Sequence, residues 1–198
     1  MIKAIIFDLG GVLFTDGSEM FINAICKKYG LDREITREAI TGEIGSQYRE
    51  SKITRDEFWE MVREKLNIED NADKLEQMWL NCYKLIEGTK EIILELSKKY
   101  KVYYLSDNVK ERADWLNKRY GYLKWFAGGV FSHEAGVRKP NIRIYKLVLK
   151  KSSTKPKETI YIDDKLWCLK PARKIGIKTI LFENPADLRS KLQRFLIN

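Results

Sequence analysis

The chain begins with an apolar, β-rich run at residues 1–7, and no comparable run follows until residue 102. A buried strand needs partners, so this first run must join a sheet whose other strands come much later in the chain. The paired glycines Gly10 and Gly11 predict a turn just after Asp8. Asp8 is therefore expected at the carboxyl end of a buried strand, where open α/β sheets bind their ligands. The plain alternative is an aspartate that only accepts hydrogen bonds from its own turn.

The segment that follows, residues 18–86, shows helical periodicity only. Apolar stripes predict four helices, the first along Phe21–Tyr29, the second over residues 34–41 and the fourth over residues 75–86. The start of the third helix is predicted by Thr54-Arg55-Asp56-Glu57, which has the form of a capping box. We therefore predict that residues 16–86 form a helical domain inserted after the first strand.

From residue 88 onward, helical and strand patterns alternate. Strands are predicted at residues 102–105, 129–131, 159–162 and 178–182, with helices between them and at the carboxyl terminus. One of these helices is expected to open near Pro171, because proline is tolerated in a first turn. The prediction is an α/β fold, a Rossmann-like parallel sheet covered by helices on both faces. Its core would consist of residues 1–15 and 87–198, interrupted by the all-α insertion.

Composition limits the classes of protein that this chain can belong to. Its 198 residues are 44% hydrophobic, which excludes a disordered protein, and no apolar stretch is long enough for a membrane helix. Three well-separated cysteines form neither a disulfide framework nor a zinc motif, and we expect a cytoplasmic protein. The net charge of +9 is interleaved with glutamates, which favours attraction of anionic substrates over nucleic-acid binding. A monomer and a homodimer both stay open.

Polar groups follow the predicted strands. Asp8 follows the first, Ser106-Asp107-Asn108 the second and Asp163-Asp164 the strand at residue 159, while Lys139 precedes a helix. Carboxylates that converge at one edge repel each other unless a cation neutralises them, and oxygen ligands suit Mg²⁺. A hydroxyl and a lysine beside them would balance a phosphoryl group. Each group also has a structural interpretation, as a helix cap, a surface lysine or turn residues.

Four motifs, in this order, resemble those of the haloacid dehalogenase superfamily. They are Ile5-Ile6-Phe7-Asp8-Leu9-Gly10-Gly11-Val12-Leu13, Leu105-Ser106-Asp107-Asn108, Gly136-Val137-Arg138-Lys139-Pro140 and Tyr161-Ile162-Asp163-Asp164, and the insertion resembles the four-helix cap of that family. The resemblance implies a phosphatase acting on a small phosphorylated metabolite, such as a sugar phosphate, through an aspartyl-phosphate intermediate.

The same resemblance assigns roles to single residues. Asp8 is expected to be the nucleophile and to bind Mg²⁺ together with the Gly10 carbonyl and Asp164, with Asp163 beside the metal or orienting its ligands. Ser106 and Asn108 are expected to bind the phosphoryl group. Lys139 is expected to stabilise its charge.

Gly10 departs from the family pattern, in which a second aspartate two residues after the nucleophile acts as acid and base. Asp16, a bound water or a good leaving group are the candidate replacements, and the loss is worth about 10²–10⁴-fold in rate. Three alternatives stay open: a phosphonatase using Lys52 or Lys65, a dehalogenase, and a weakly active or inactive member that acts as a binding module. Further candidates for substrate contact are His133 and three residues of the helical insertion, Tyr48, Arg49 and Trp59. For each of them, a role in packing is the alternative.

Overall fold

In a computed structural model of the protein, which describes residues 1–196, five strands form one fully parallel sheet. They are β1 (Ala4–Phe7), β2 (Lys101–Ser106), β3 (Gly128–Phe131), β4 (Thr159–Asp163) and β5 (Lys178–Leu181). Their order in the sheet is β3-β2-β1-β4-β5. The first strand therefore lies at the centre, with Phe7 opposite Tyr104 of β2 and Ile162 of β4. This confirms the prediction that the first run joins a sheet built from the distant strands.

Eleven helices and helical turns accompany the sheet within residues 1–196. They are α1 (Gly17–Tyr29), α2 (Arg33–Thr41), α3 (Glu43–Arg49), α4 (Arg55–Leu66), α5 (Ala72–Asn81), α6 (Glu87–Leu96), α7 (Lys110–Tyr120), α8 (Ser132–Ala135), α9 (Ile142–Ser152), α10 (Leu166–Lys174) and α11 (Pro185–Leu196). Two 3-10 turns, Tyr122–Trp125 and Pro156–Glu158, precede β3 and β4. No helix in this part of the chain combines the length and the apolar character that crossing a bilayer requires.

Side chains point alternately to the two faces of the sheet along each strand, and both faces are covered by packed side chains. Ile5 and Phe7 of β1 contribute to one apolar cluster with buried side chains of α6, α7 and α11. Ile6 faces the opposite way and joins a second cluster with side chains of α9 and α10. The predicted class, a parallel sheet with helices on both faces, is confirmed.

The helix predicted to open near Pro171 begins earlier, at Leu166. Pro171 lies inside α10, where it removes one backbone donor from the helix ladder. The helix continues through it because Cys168, Leu169 and Ala172 are buried against the sheet. Tertiary packing of this face therefore outweighs the local preference of proline for a first turn.

Residues 17–81, called here the helical segment, contain five helices instead of the four that the periodicity predicts. The unpredicted one is α3, which has only seven residues, and the last helix ends at Asn81 rather than near residue 86. The segment has an aromatic core of its own, in which Phe21, Phe58, Trp59 and Trp79 pack ring against ring.

The capping box that the sequence predicts at the start of α4 is present. The Thr54 hydroxyl accepts from the Glu57 backbone at 3.3 Å, and the Thr54 backbone donates to the Glu57 carboxylate at 2.7 Å. We expect Thr54→Ala to lower the free energy of unfolding by about 1 kcal/mol, because it leaves helix N–H groups without an acceptor.

Urea unfolding followed by circular dichroism measures this loss. Ser190→Ala on α11, whose hydroxyl makes only an exposed 3.4 Å contact within its own helix, serves as the control and is expected to change little. Equal losses in the two variants would contradict the capping role of Thr54.

Candidate active site

The carboxyl ends of the three central strands surround one cavity of about 450 Å³. Because the sheet order reverses at β1, this edge is the crevice in which sheets of this type bind ligands. Asp8, Ser106, Lys139 and Asp164 line the cavity, and Asp163 lies directly behind them with no exposed surface. Gly10 lines the same cavity, and Asn108 lines a small neighbouring pocket that shares Gly10 and Ser106 with it. The structure thus brings together all seven residues that the sequence singles out.

Lys139 joins two of the carboxylates. Its Nζ lies 3.0 Å from Asp8 Oδ1 and 2.8 Å from Asp163 Oδ2, and all three side chains are buried. Burial raises the pKa of the Asp8 carboxyl well above its usual value; Lys139 opposes this shift, and the charges of Asp163 and Asp164 add to it. For Lys139, burial acts against the charged form, but Asp163 and Asp8 outweigh it and raise the pKa of the amine.

Asp163 is held on both of its carboxylate oxygens. Oδ2 accepts from Lys139 Nζ and from the Tyr161 hydroxyl, and Oδ1 accepts from the Lys165 backbone at 2.8 Å. A carboxylate with all of its partners inside the protein is suited to orient neighbouring groups.

Asp164 differs from Asp163 in how its oxygens are used. Its Oδ2 is paired with Lys165 Nζ at 2.9 Å, whereas its buried Oδ1 has no hydrogen-bond partner within residues 1–196. Burial raises the pKa of the Asp164 carboxyl, and Lys165 opposes that shift. A buried acceptor without a partner is costly unless a ligand satisfies it.

The three carboxylates fit a divalent cation. Asp8, Asp163 and Asp164 each offer an oxygen, and these oxygens lie within 4.8 Å of one another. All the ligand atoms on offer are hard carboxylate oxygens, which suits Mg²⁺, and Asp164, whose Oδ1 has no hydrogen-bond partner within residues 1–196, is one of the three residues. Gly11, at φ +81°, allows the loop after β1 to pass close to Asp164, because a Cβ there would overlap the carboxyl group.

The three residues from Ser106 to Asn108, at and after the end of β2, have separate roles. Ser106 is buried and lines the cavity. Asp107 accepts from the Lys139 backbone at 3.0 Å and from Arg138 Nε at 3.3 Å, and so holds the lysine loop in place. Asn108 Oδ1 accepts from the Val109 backbone and from Arg112 Nε, which leaves its amide N–H groups as donors for a ligand.

Most of the less certain candidates turn out to be packing residues. Tyr48 stacks on Phe58 and donates to Glu111, and Trp59 is almost fully buried in the aromatic core. His133 stacks on Phe131 and contacts the Asn108 carbonyl. Arg49 is the exception among them, because it lines the cavity.

The two lysines named for the phosphonatase alternative, Lys52 and Lys65, lie on the surface. Lys52 is 60% exposed in its side chain and pairs with Glu50. Lys65 is exposed as well, and neither lines the cavity.

Several residues of the cavity carry no signal in the sequence motifs. Tyr83 and Arg112 line it and are hydrogen-bonded to each other at 2.7 Å. Lys165 bridges Asp164 and Asp16, the N-cap residue of α1, at 2.9 and 2.8 Å. The one available hint was the position of Lys165, directly after the acidic pair.

Residues 5–182 match the family model described as haloacid dehalogenase-like hydrolase. Among characterised proteins, the chain is 29% identical to a D-ribitol-5-phosphate phosphatase of Bacteroides thetaiotaomicron over 97% of both chains. It is 28% identical to a sesquiterpene phosphatase of Aspergillus oryzae over 88% of this chain and 87% of that protein.

A similar solved structure is a HAD family enzyme from Bacteroides thetaiotaomicron in complex with magnesium and inorganic phosphate. It superposes with a TM-score of 0.77 at 26% identity and covers 93% of this chain and 96% of its own.

Replacing Lys139, whose amine lies between the buried carboxylates of Asp8 and Asp163, tests the electrostatic arrangement of the site. We expect Lys139→Met to lower the free energy of unfolding of the metal-free protein by about 3–5 kcal/mol, because Asp8 and Asp163 lose their counter-charge. The loss of stability in Lys139→Met should be smaller at about pH 5 than at about pH 7. A carboxyl whose pKa is raised in the folded state takes up its proton at a higher pH than in the unfolded chain, so the free energy of unfolding increases as the pH falls.

Urea unfolding in the presence of a chelator measures both effects, with Lys146→Met on the exposed face of α9 as the control. A Lys139→Met variant as stable as Lys146→Met at both pH values would contradict the ion-pair assignment.

Proposed function

Because the chain belongs to the haloacid dehalogenase-like hydrolases, we propose that it is a magnesium-dependent phosphatase acting on a small phosphorylated metabolite. The observation that carries this proposal is the buried group of Asp8, Asp163, Asp164 and Lys139 at the carboxyl ends of β1 and β4. Two relatives are named as phosphatases, one of them for a sugar-alcohol phosphate. A similar structure that contains magnesium and inorganic phosphate agrees with the same chemistry.

In the proposed reaction, a carboxylate oxygen of Asp8 attacks phosphorus while the bond from phosphorus to the ester oxygen breaks. The leaving oxygen takes a proton from a water molecule in the cavity, and the phosphoryl group stays on Asp8 as an acyl phosphate. A water molecule then attacks this phosphorus and releases inorganic phosphate together with the free aspartate. Asp8 suits the first step because it lines the cavity at the end of a rigid central strand.

Magnesium would be held by the carboxylates of Asp8 and Asp164 and by the Gly10 carbonyl, with Asp163 orienting the group. When bound, the ion reduces the repulsion between the phosphoryl oxygens and the carboxylates. The partnerless oxygen of Asp164 supports this assignment.

Ser106 and Lys139 stabilise charge on the phosphoryl group. The Ser106 hydroxyl is placed to donate to a phosphoryl oxygen, with the Asn108 amide as a second donor. Lys139 supplies a positive charge already fixed by two ion pairs, so little reorganisation is needed during the reaction.

The helical segment is proposed to act as a cap over this chemistry. It meets the core around the cavity, where the Ser51 hydroxyl donates to the His133 carbonyl at 3.0 Å and Arg138 donates to the Ser46 hydroxyl. It also supplies Arg49 to the cavity wall. The phosphonatase alternative receives no comparable support, because Lys52 and Lys65 lie outside the cavity.

Asp16 is the proposed substitute for the base function of the aspartate that is missing at position 10. It lines the cavity and caps α1, and its second oxygen is paired with Lys165. From this position, it would accept the proton of the attacking water.

We expect phosphate release from a panel of small phosphate esters in the presence of Mg²⁺ and none in the presence of a chelator. Asp8→Asn should reduce the rate to that of the uncatalysed reaction, because the amide cannot form the covalent intermediate. Asp114→Asn, a change of an exposed aspartate on α7, is the control and should keep the native rate. Turnover that survives in Asp8→Asn, or that ignores the chelator, would contradict the proposal.

Position 10 offers a test of the missing acid. A Cβ at Gly10 meets no atom within 4 Å, so the backbone there accepts a side chain without a clash at Cβ. We expect Gly10→Asp to raise kcat by about 10²-fold, since a general acid-base group is worth about 10²–10⁴-fold.

The neighbouring variant Gly11→Asp provides the contrast. Its side chain would overlap Asp164 from a left-handed backbone conformation, so a loss of activity is expected. If kcat in Gly10→Asp is unchanged or lower while the protein remains folded, another group already does this work.

A further inference from the structure

Two buried arginines line the end of the cavity that faces the helical segment. Arg49 comes from α3 and Arg112 from α7, and their exposed fractions are 6% and 3%. Within residues 1–196, neither forms an ion pair with a carboxylate. Burying a guanidinium without a counter-charge is costly, because the charge loses its hydration.

The remaining cations of the cavity are different. Lys139 pairs with Asp8 and Asp163, and Lys165 pairs with Asp16 and Asp164. The other two pairs are Arg138 with Asp107 and Arg37 with Glu19. The missing counter-charge is therefore confined to one end of the cavity.

Within residues 1–196, the hydrogen bonds of the two arginines go to neutral acceptors. Arg49 Nη1 donates to the carbonyls of Gly45 and Ile40 at 2.8 and 3.2 Å, and Arg49 Nη2 donates to the Ser18 hydroxyl at 3.4 Å. Arg112 donates to Asn108 Oδ1 at 2.6 Å and to the Tyr83 hydroxyl at 2.7 Å. These bonds fix the orientation of each guanidinium and use only part of its five N–H donors.

Both guanidiniums lie against one aromatic ring, that of Trp79. Their central carbons are 5.6 Å (Arg49) and 4.7 Å (Arg112) from its centroid. Such a contact offsets part of the charge burial, but it also brings two like charges together. Burial, together with the positive charges of Arg112 and Arg138, lowers the pKa of Arg49 to about 10.

We infer that Arg49 and Arg112 bind a second anionic group on the leaving group of the substrate, a carboxylate or a second phosphate. This inference rests on the proposed function, which places the phosphoryl group that is transferred beside Ser106 and Lys139. That phosphoryl group already has its own counter-charges there, so it does not account for the arginines. Guanidiniums bind carboxylates and phosphates through paired N–H donors, which suits both forms of the second anion.

The rest of this end of the cavity suits the neutral part of such a molecule. Ser18, Thr41 and Tyr83 also line the cavity, with the Ser18 and Tyr83 hydroxyls 3.0 Å apart, and their hydroxyls can bond to those of a short carbon chain. The volume of about 450 Å³ matches a small metabolite. The substrate class is thus a phosphorylated sugar acid, a related hydroxy acid, or a small bisphosphate.

Matched pairs of esters test the inference. We expect kcat/KM with Mg²⁺ to be at least about tenfold higher for 3-phosphoglycerate than for glycerol 3-phosphate, or for fructose 1,6-bisphosphate than for fructose 6-phosphate. The first pair isolates a carboxylate and the second a phosphate. In Arg49→Met and Arg112→Met, the ratio within the preferred pair should fall towards one, whereas a general loss of folding lowers both members equally. Arg143→Met, an exposed arginine of α9, should retain the native ratio.

A binding measurement separates this inference from the proposed function. Calorimetry on Asp8→Asn, which cannot turn over, should give at least about tenfold tighter binding of the preferred doubly anionic ester than of its partner. Equal affinities, or a ratio that Arg49→Met and Arg112→Met leave unchanged, would overturn the inference even if the protein is an active phosphatase. Failure of the native protein to release phosphate from any ester would instead count against the proposed function, and the calorimetric comparison would still decide the question of the second anion.

Discussion

Repulsion among three neighbouring carboxylates, two of them buried and one partly buried, is the constraint on which the site depends. Asp8, Asp163 and Asp164 are brought together because β1 and β4 are parallel neighbours whose carboxyl ends coincide. Lys139 neutralises part of this charge, and the backbone of Lys165 and the hydroxyl of Tyr161 hold Asp163 in place. Within residues 1–196, Asp164 Oδ1 still has no hydrogen-bond partner, which a further cation beside the three carboxylates would satisfy. Gly11 lets the loop after β1 approach Asp164 closely, because any larger residue there would overlap its carboxyl group.

Much of the fold could be predicted because buried parallel strands leave a strong and local signal. The run that becomes β1 is fully buried, and its distant partners alternate with amphipathic helices, so only a parallel sheet accommodates them. The errors occurred where local rules compete with packing. Pro171 was expected in a first turn, but the burial of its helix against the sheet carries the helix through it. The helix α3 was missed because seven residues are too few to show a periodic stripe.

The strand-end half of the candidate site was predictable for the same reason, since Asp8, Ser106 and Asp163 occupy the last positions of strands or follow them directly. The other half of the site, which includes Arg112 and Tyr83, could not be predicted from the sequence. Arg112 and Tyr83 are 29 residues apart and meet only because α7 packs beside the helical segment, a contact that no spacing rule describes. A guanidinium on a helix ordinarily faces solvent, so its burial beside Trp79 becomes visible only in three dimensions.

Under the proposed function and the inference about Arg49 and Arg112, one half of the cavity determines the reaction rate and the other determines the selectivity among substrates. Under the proposed function, the strand-end half contains the nucleophile and the counter-charges, and the absence of a carboxylate at Gly10 limits how fast it can act. Anchoring a second anion at Arg49 and Arg112 would not supply the missing proton, but it would fix the ester against Asp8 through guanidiniums that are already oriented. Binding energy from a part of the substrate that does not react raises the rate only as far as it is used for positioning in the transition state. The end of the cavity that contains Arg49 and Arg112 would therefore set which ester is cleaved, and the loop after β1 would set how fast it is cleaved.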